Sequence, residues 1–152
     1  MSNHHLRSAV SAPRPLGAES DVVRPRAGAH AVLIVEDHED TRDMYAMVLE
    51  ASGYRVLMAN SGAAALTHAR NQTVSAVITD VCMPGTVTAA EICRIFSGVG
   101  IPVMVVTGLD QDSADVAATT AAGCAVLVRK PVDLVHLRAT MDRLIPRRQI
   151  RA

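Results

Sequence analysis

The sequence predicts a doubly wound α/β domain built on a five-stranded parallel sheet. Two observations carry that reading. Short apolar runs rich in β-branched residues alternate five times with longer segments of helical spacing, the pattern of strand–helix–strand units. The runs also end abruptly, so that Glu36, Asp37, Asp80, Thr107 and Lys130 all fall at the carboxyl ends of strands. Open sheets of this class place their ligands at that edge. Such alternation requires right-handed crossovers and helices on both faces, but it does not order the strands.

Ala31-Val32-Leu33-Ile34-Val35 forms the first strand and ends in Glu36-Asp37. Residues 39–52 set Met44, Met47, Val48 and Ala51 at helical spacing, and Gly53 stops the helix. Tyr54 to Met58 is a second strand, and Ser61 to Arg70 an Ala-rich helix. Residues 74–79 run straight into Asp80 and stop at Pro84-Gly85, as a strand buried on both faces would. A helix over about 89–97 turns Ile92, Ile95 and Phe96 to one side. Pro102 opens the strand Val103–Val106, where its missing N–H does least harm. Asp110 to Ala122 is a weak Ala/Thr-rich helix closed by Gly123, and Ala125 to Arg129 the fifth strand. Lys130-Pro131 leads into a last helix over about 133–145, with Leu134, Leu137, Met141 and Leu144 inward.

The totals narrow the function. The chain has 152 residues, enough for one domain with a real core. Hydrophobic residues make up 49% and aromatics 2%, so aliphatic side chains and Met must fill that core. Residues 31–145 hold eight basic against thirteen acidic side chains, while residues 1–30 and 146–152 are basic. An acidic globule with short basic ends does not suit nucleic acid. Residues 1–30, with Pro13, Pro15 and Pro25 and no apolar period, read as a disordered extension, and residues 146–152 as a short basic tail. Cys82, Cys93 and Cys124 lack C-x-x-C spacing and are expected as free thiols in a reducing compartment. No apolar run approaches the roughly 20 residues needed to span a bilayer. A cytoplasmic location is expected, with no membrane partner.

The polar residues at the strand ends form a chemical set. Three clustered acids repel unless a cation sits among them, and hard oxygen ligands suit Mg²⁺. Lys130 is the only lysine among fifteen basic residues, a compact point charge where arginine serves everywhere else. A metal and an ammonium around Asp80, with the Thr107 hydroxyl nearby, are parts a phosphoryl-transfer site needs.

Over residues 31–145 the chain resembles the receiver domain of two-component response regulators. The resemblance rests on Val35-Glu36-Asp37, Asp80-x-x-Met83-Pro84-Gly85, Val105-Val106-Thr107-Gly108, and Gly123 followed seven residues later by Lys130-Pro131. Each piece alone is weak, whereas all of them in this order and spacing are specific. The resemblance implies a flavodoxin-like receiver fold with strand order 2-1-3-4-5. It implies that Asp80 accepts a phosphoryl group from a histidine kinase or a histidine phosphotransfer protein. Asp37, Asp80 and the backbone carbonyl of Cys82 would bind Mg²⁺, with Glu36 acting mainly through water. Thr107 and Lys130 would hold phosphoryl oxygens.

Three departures from the family pattern stand out. Leu127 occupies the place of the usual switch aromatic, three residues before the lysine. The loop Gly85–Glu91 lacks a usual Gly and is one residue longer, and the fourth helix is poor in charge. The expected protein is a stand-alone switch rather than an enzyme, signalling to an unidentified downstream protein by contact or onward phosphotransfer. One rival is a pseudo-receiver, an interaction module not regulated by phosphorylation. The other is a phosphatase or small-molecule enzyme on a similar sheet, against which Cys82 stands where a D-x-D motif would need its second acid. A cis Lys130-Pro131 bond is expected, because the lysine must turn back to Asp80 as the chain enters a helix.

Overall fold

A computed structural model of the chain describes residues 29–146. The expected extension and tail therefore lie outside the described residues, apart from 29, 30 and 146. The elements alternate without exception: β1 (Ala31–Val35), α1 (Glu39–Ala51), β2 (Arg55–Ala59), α2 (Gly62–Asn71), β3 (Ala76–Asp80), α3 (Ala89–Gly98), β4 (Val103–Thr107), α4 (Ala114–Ala121), β5 (Val126–Arg129) and α5 (Leu134–Leu144). The strands are parallel in the order β2-β1-β3-β4-β5. Fold class and strand order are those expected.

The order explains the burial. β1, β3 and β4 have a strand on each side and are buried along their whole length. Edge strands β2 and β5 are only partly covered. Alternate residues of the central strands feed two core layers, as the strand period of two requires. Leu33, Val35, Val77, Val103 and Val105 pack with Ala65 of α2 and with Ile92, Cys93 and Phe96 of α3. Val32, Ile34, Ile78, Met104 and Val106 pack with Tyr45, Ala46 and Leu49 of α1 and with Leu137 and Met141 of α5. Each fully buried aliphatic side chain contributes about 1.5–3 kcal/mol, so the three central strands form the rigid base for whatever their ends carry.

Local chemistry fixes the helix ends. The Ser61 hydroxyl accepts the Ala64 N–H at 3.2 Å, and the Asp133 carboxylate accepts those of Val135 and His136 at 2.8 and 3.0 Å. Thr88 and Glu91 form a reciprocal capping box on α3. Ser113, before α4, makes no side-chain cap. Gly53 takes a φ of 92°, in the left-handed region, and ends α1 as its position predicts.

Three expectations need correction. The inner face of α1 is Tyr45, Ala46 and Leu49, whereas Met44 and Met47 are 42% and 70% exposed and Ala51 is also exposed. Both sets have helical spacing, and the sheet selects the set aligned with Ile34 and Leu137. On α3 the side chain of Ile95 is exposed, and Cys93 takes its place beside Ile92 and Phe96. Finally, α4 starts at Ala114 rather than Asp110. Residues 110–113 form a turn closed by the Ser113 N–H on the Asp110 carbonyl at 3.0 Å.

Candidate functional site

The carboxyl ends of β1, β3 and β5 bring Glu36, Asp80 and Lys130 together. Glu36 follows the last residue of β1 and is 2% exposed, and Asp80 closes β3 at 7%. Lys130 follows the last residue of β5. Its N–H donates to the Thr107 carbonyl at 2.8 Å, which extends the β4–β5 pairing to the point where the side chain departs. The Lys130–Pro131 peptide bond is cis, as expected.

From that anchor the Lys130 ammonium reaches both buried carboxylates, Asp80 Oδ2 at 2.6 Å and Glu36 Oε2 at 3.0 Å. Burial lowers the tendency of Lys130 to hold its proton, but hydrogen bonds and charge attraction from Asp80 and Glu36 outweigh it and push its pKa above the ordinary 10.5. The remaining oxygens are also held. The Cys82 N–H donates to Asp80 Oδ1 at 3.1 Å and the His38 N–H to Glu36 Oε1 at 3.1 Å, while Arg42 donates to the Glu36 carbonyl at 3.0 Å. Both acids are thus fixed by backbone donors as well as by the ammonium.

The residues expected from sequence divide into two groups. Glu36, Asp80 and Lys130 are in direct contact. Asp37 sits exposed beside them, with one donor atom each of Glu36, Asp37 and His38 lying within 4.8 Å of the other two. Cys82 meets Asp80 through its amide N–H. The Thr107 hydroxyl, fully buried, accepts the Leu109 N–H at 3.0 Å and so is engaged in its own turn. Leu127 pairs with Val105 and is half-buried against the layer formed by α2 and α3.

Two contributors were not legible in the sequence. The Tyr45 ring lies on the buried face of α1, where burial raises the pKa of its hydroxyl, Lys130 lowers it, and Glu36 and Asp80 raise it further. Its position, two turns past Asp37, looks like any core residue. Gly62 is the other. A Cβ there would stand 2.6 Å from the Val87 carbonyl oxygen and 2.7 Å from the Val87 Cβ. The loop that follows Asp80 therefore closes against the start of α2, in a place only glycine leaves open.

Residues 32–142 match the response regulator receiver domain family. The response regulator MprA of Mycobacterium sp. (strain KMS) is 34% identical over 118 residues, covering 76% of this chain and 50% of that protein. The chain thus spans about half the length of the curated relatives it matches. A signal receiver domain of a histidine kinase from Syntrophus aciditrophicus superposes with a TM-score of 0.71 at 28% identity, over 82% of this chain and 97% of that one. The receiver domain of the sensor histidine kinase PA1611 from Pseudomonas aeruginosa, with magnesium in its active-site cleft, gives a TM-score of 0.68 at 23% identity, over 77% and 98%. A parallel sheet in the order 2-1-3-4-5, with acids and a lysine meeting at its carboxyl edge, is the architecture of a receiver domain. The chain belongs to the response regulator receiver domain family.

Proposed function

We propose that this domain takes a phosphoryl group from a phosphohistidine, on a histidine kinase or a histidine phosphotransfer protein, onto Asp80. A carboxylate oxygen of Asp80 forms the new bond to phosphorus, the bond from phosphorus to the imidazole nitrogen breaks with its electron pair staying on that nitrogen, and the donor histidine, protonated on its other ring nitrogen, leaves as neutral imidazole. The observation that carries this reading is the Lys130 ammonium, 2.6 Å from Asp80 and 3.0 Å from Glu36. It is anchored to the end of β4 and placed where it can pair with a phosphoryl oxygen. Thr107 supplies a second contact once its hydroxyl turns from Leu109 to the new anion.

The donor set suits Mg²⁺. Glu36, Asp37 and Asp80 carry three formal negative charges against one on Lys130, all on hard oxygen ligands. Asp37, Asp80 and the Cys82 carbonyl would hold the ion, with Glu36 acting mainly through water. The ion supplies neutralisation of charge on the transferring oxygens. Magnesium in the cleft of the PA1611 receiver domain supports this assignment. Output then passes by contact with a further protein or by onward phosphotransfer. Among the described residues no helix is long and apolar enough to cross a membrane.

Incubation with acetyl phosphate and Mg²⁺, followed by intact mass measurement, tests the reading. The wild-type chain should gain one phosphoryl mass and Asp80→Asn none. No gain in the wild type would make the chain a pseudo-receiver.

A further inference from the structure

Strand alternation sends the charged residues to one face of the sheet. Val32 and Ile34, Ala76 and Ile78, and Val126 and Val128 all belong to the layer packed against α1 and α5. Glu36, Asp80 and Lys130 come next in each row at the strand period of two. All three keep strand register: Asp80 pairs with Val106, the Glu36 N–H donates to the Ala59 carbonyl at 3.0 Å, and the Lys130 N–H to the Thr107 carbonyl at 2.8 Å. The three charged side chains therefore cap this layer. Tyr45 of α1 is packed in it and is 3% exposed.

Its hydroxyl differs from the other buried hydroxyls. Those of Tyr54, Thr79 and Thr119 donate to Asp142 and to the Asp80 and Asp115 carbonyls, and those of Thr107 and Thr140 accept from Leu109 and Arg143. Among the described residues the Tyr45 hydroxyl makes no hydrogen bond. Burying a hydroxyl without a partner costs free energy. Burial raises its pKa, and the charges that act on it are Lys130 first, then Glu36 and Asp80. The hydroxyl thus faces the charged cap. Each oxygen of the Glu36 and Asp80 carboxylates already has a donor. Lys130 has three N–H groups and spends two, on Asp80 and Glu36, with no third acceptor among the described residues.

We propose that Tyr45 is a positioning residue for phosphoryl transfer, its hydroxyl accepting the third N–H of Lys130 when the ammonium turns to a phosphoryl oxygen on Asp80. The inference rests on the function proposed above. In the unphosphorylated arrangement the two carboxylates hold the ammonium, and the hydroxyl lies within its field without bonding to it. A phosphoryl group on Asp80 presents new oxygens, and the ammonium leaves its present partner to reach one. A third acceptor fixes its direction during that turn. A fixed cation stabilises charge developing on the transferring oxygens better than a mobile one.

Tyr45→Phe in the full chain tests this, because it keeps the ring and removes only the hydroxyl. Its urea midpoint should match wild type, since the hydroxyl has no partner to lose in the unphosphorylated fold. Acetyl phosphate with Mg²⁺ should modify it about three- to tenfold more slowly, the worth of one hydrogen bond. The half-saturating acetyl phosphate concentration should stay within about twofold, as for a contact made only in the transition state. Lys130 is the only lysine of the chain, so isotopic labelling at lysine gives a single side-chain ammonium signal in NMR. That signal should coincide in the two proteins when both are unphosphorylated, and differ once beryllium fluoride and Mg²⁺ occupy the site. A ring that serves packing alone would leave Phe equal to Tyr in both measurements. A wild-type rate in Tyr45→Phe, or an ammonium signal that still coincides with beryllium fluoride bound, overturns the inference alone. A wild-type chain that acetyl phosphate leaves unmodified refutes transfer to Asp80 itself and takes the inference with it.

Discussion

At the scale of single residues the site trades stability for function. Two acids share one lysine while a third, Asp37, sits exposed beside them, so removing the charge that the lysine does not pair should relieve repulsion. Asp37→Asn is expected to raise the unfolding free energy measured in urea by up to about 1 kcal/mol, since Asp37 is exposed, and to abolish phosphorylation. An unchanged phosphorylation rate would remove Asp37 from the metal site. The thiols give a second residue-scale prediction. Burial, with a smaller contribution from Cys124, pushes Cys93 from 9.0 up to about 12. A folded-state pKa above the unfolded one means the folded chain keeps its proton longer. Stability is therefore undiminished below pH 9 and falls as pH rises from 9 towards 12. Cys82, exposed beside Asp80, is raised above 9.0 by burial and then by that carboxylate. Alkylation of the folded chain at pH 8 should mark Cys82 slowly and leave Cys93 untouched, as peptide mass mapping would show. These acids and Lys130 were legible because each falls at a strand end in a fixed motif. Tyr45 and Gly62 were not, since their roles depend on what a distant segment places beside them.

At the scale of elements, sequence periodicity located the strands and helices but did not always choose a helix face. On α1 two apolar sets share the same spacing, and methionine counts as apolar whether it is covered or not. Only packing on β1 and α5 separates them. Leu49→Ala, at a fully buried site, should lose about 2–5 kcal/mol in urea unfolding. Met47→Ala, at 70% exposure, should stay within about 0.5 kcal/mol. The reverse ranking would restore the face first read from the sequence. The late start of α4 was hidden because Asp110–Ser113 has ordinary helix-start residues, yet Asp110 pairs with Arg129 of β5 instead. That helix has eight residues and buries only Val116 and Thr119. Segments with so few buried contacts open most easily. Hydrogen exchange with a phosphoryl mimic should change over residues 107–122 and leave Leu127 unaltered, because leucine has no ring to turn inward. A change confined to β5 would assign the switch to that strand.

At the scale of the whole molecule, alternation pointed to a parallel sheet with two covered faces, because strands joined by helices bury their apolar side chains under those helices. The order of the strands came from the family's motifs, since periodicity says nothing about neighbours. The order has a chemical consequence. Placing β3 between β1 and β4 sets Asp80 beside the Glu36 end of β1, and β5 at the edge lets Lys130 fold back over both. On the function proposed, this geometry makes Asp80, and neither Glu36 nor Asp37, the phosphoryl acceptor. Borohydride reduction after treatment with acetyl phosphate and Mg²⁺ converts an aspartyl phosphate to homoserine, which peptide sequencing by mass spectrometry can place. The expected result is homoserine at position 80 alone. Reduction products at position 36 or 37, or none at 80, would contradict it.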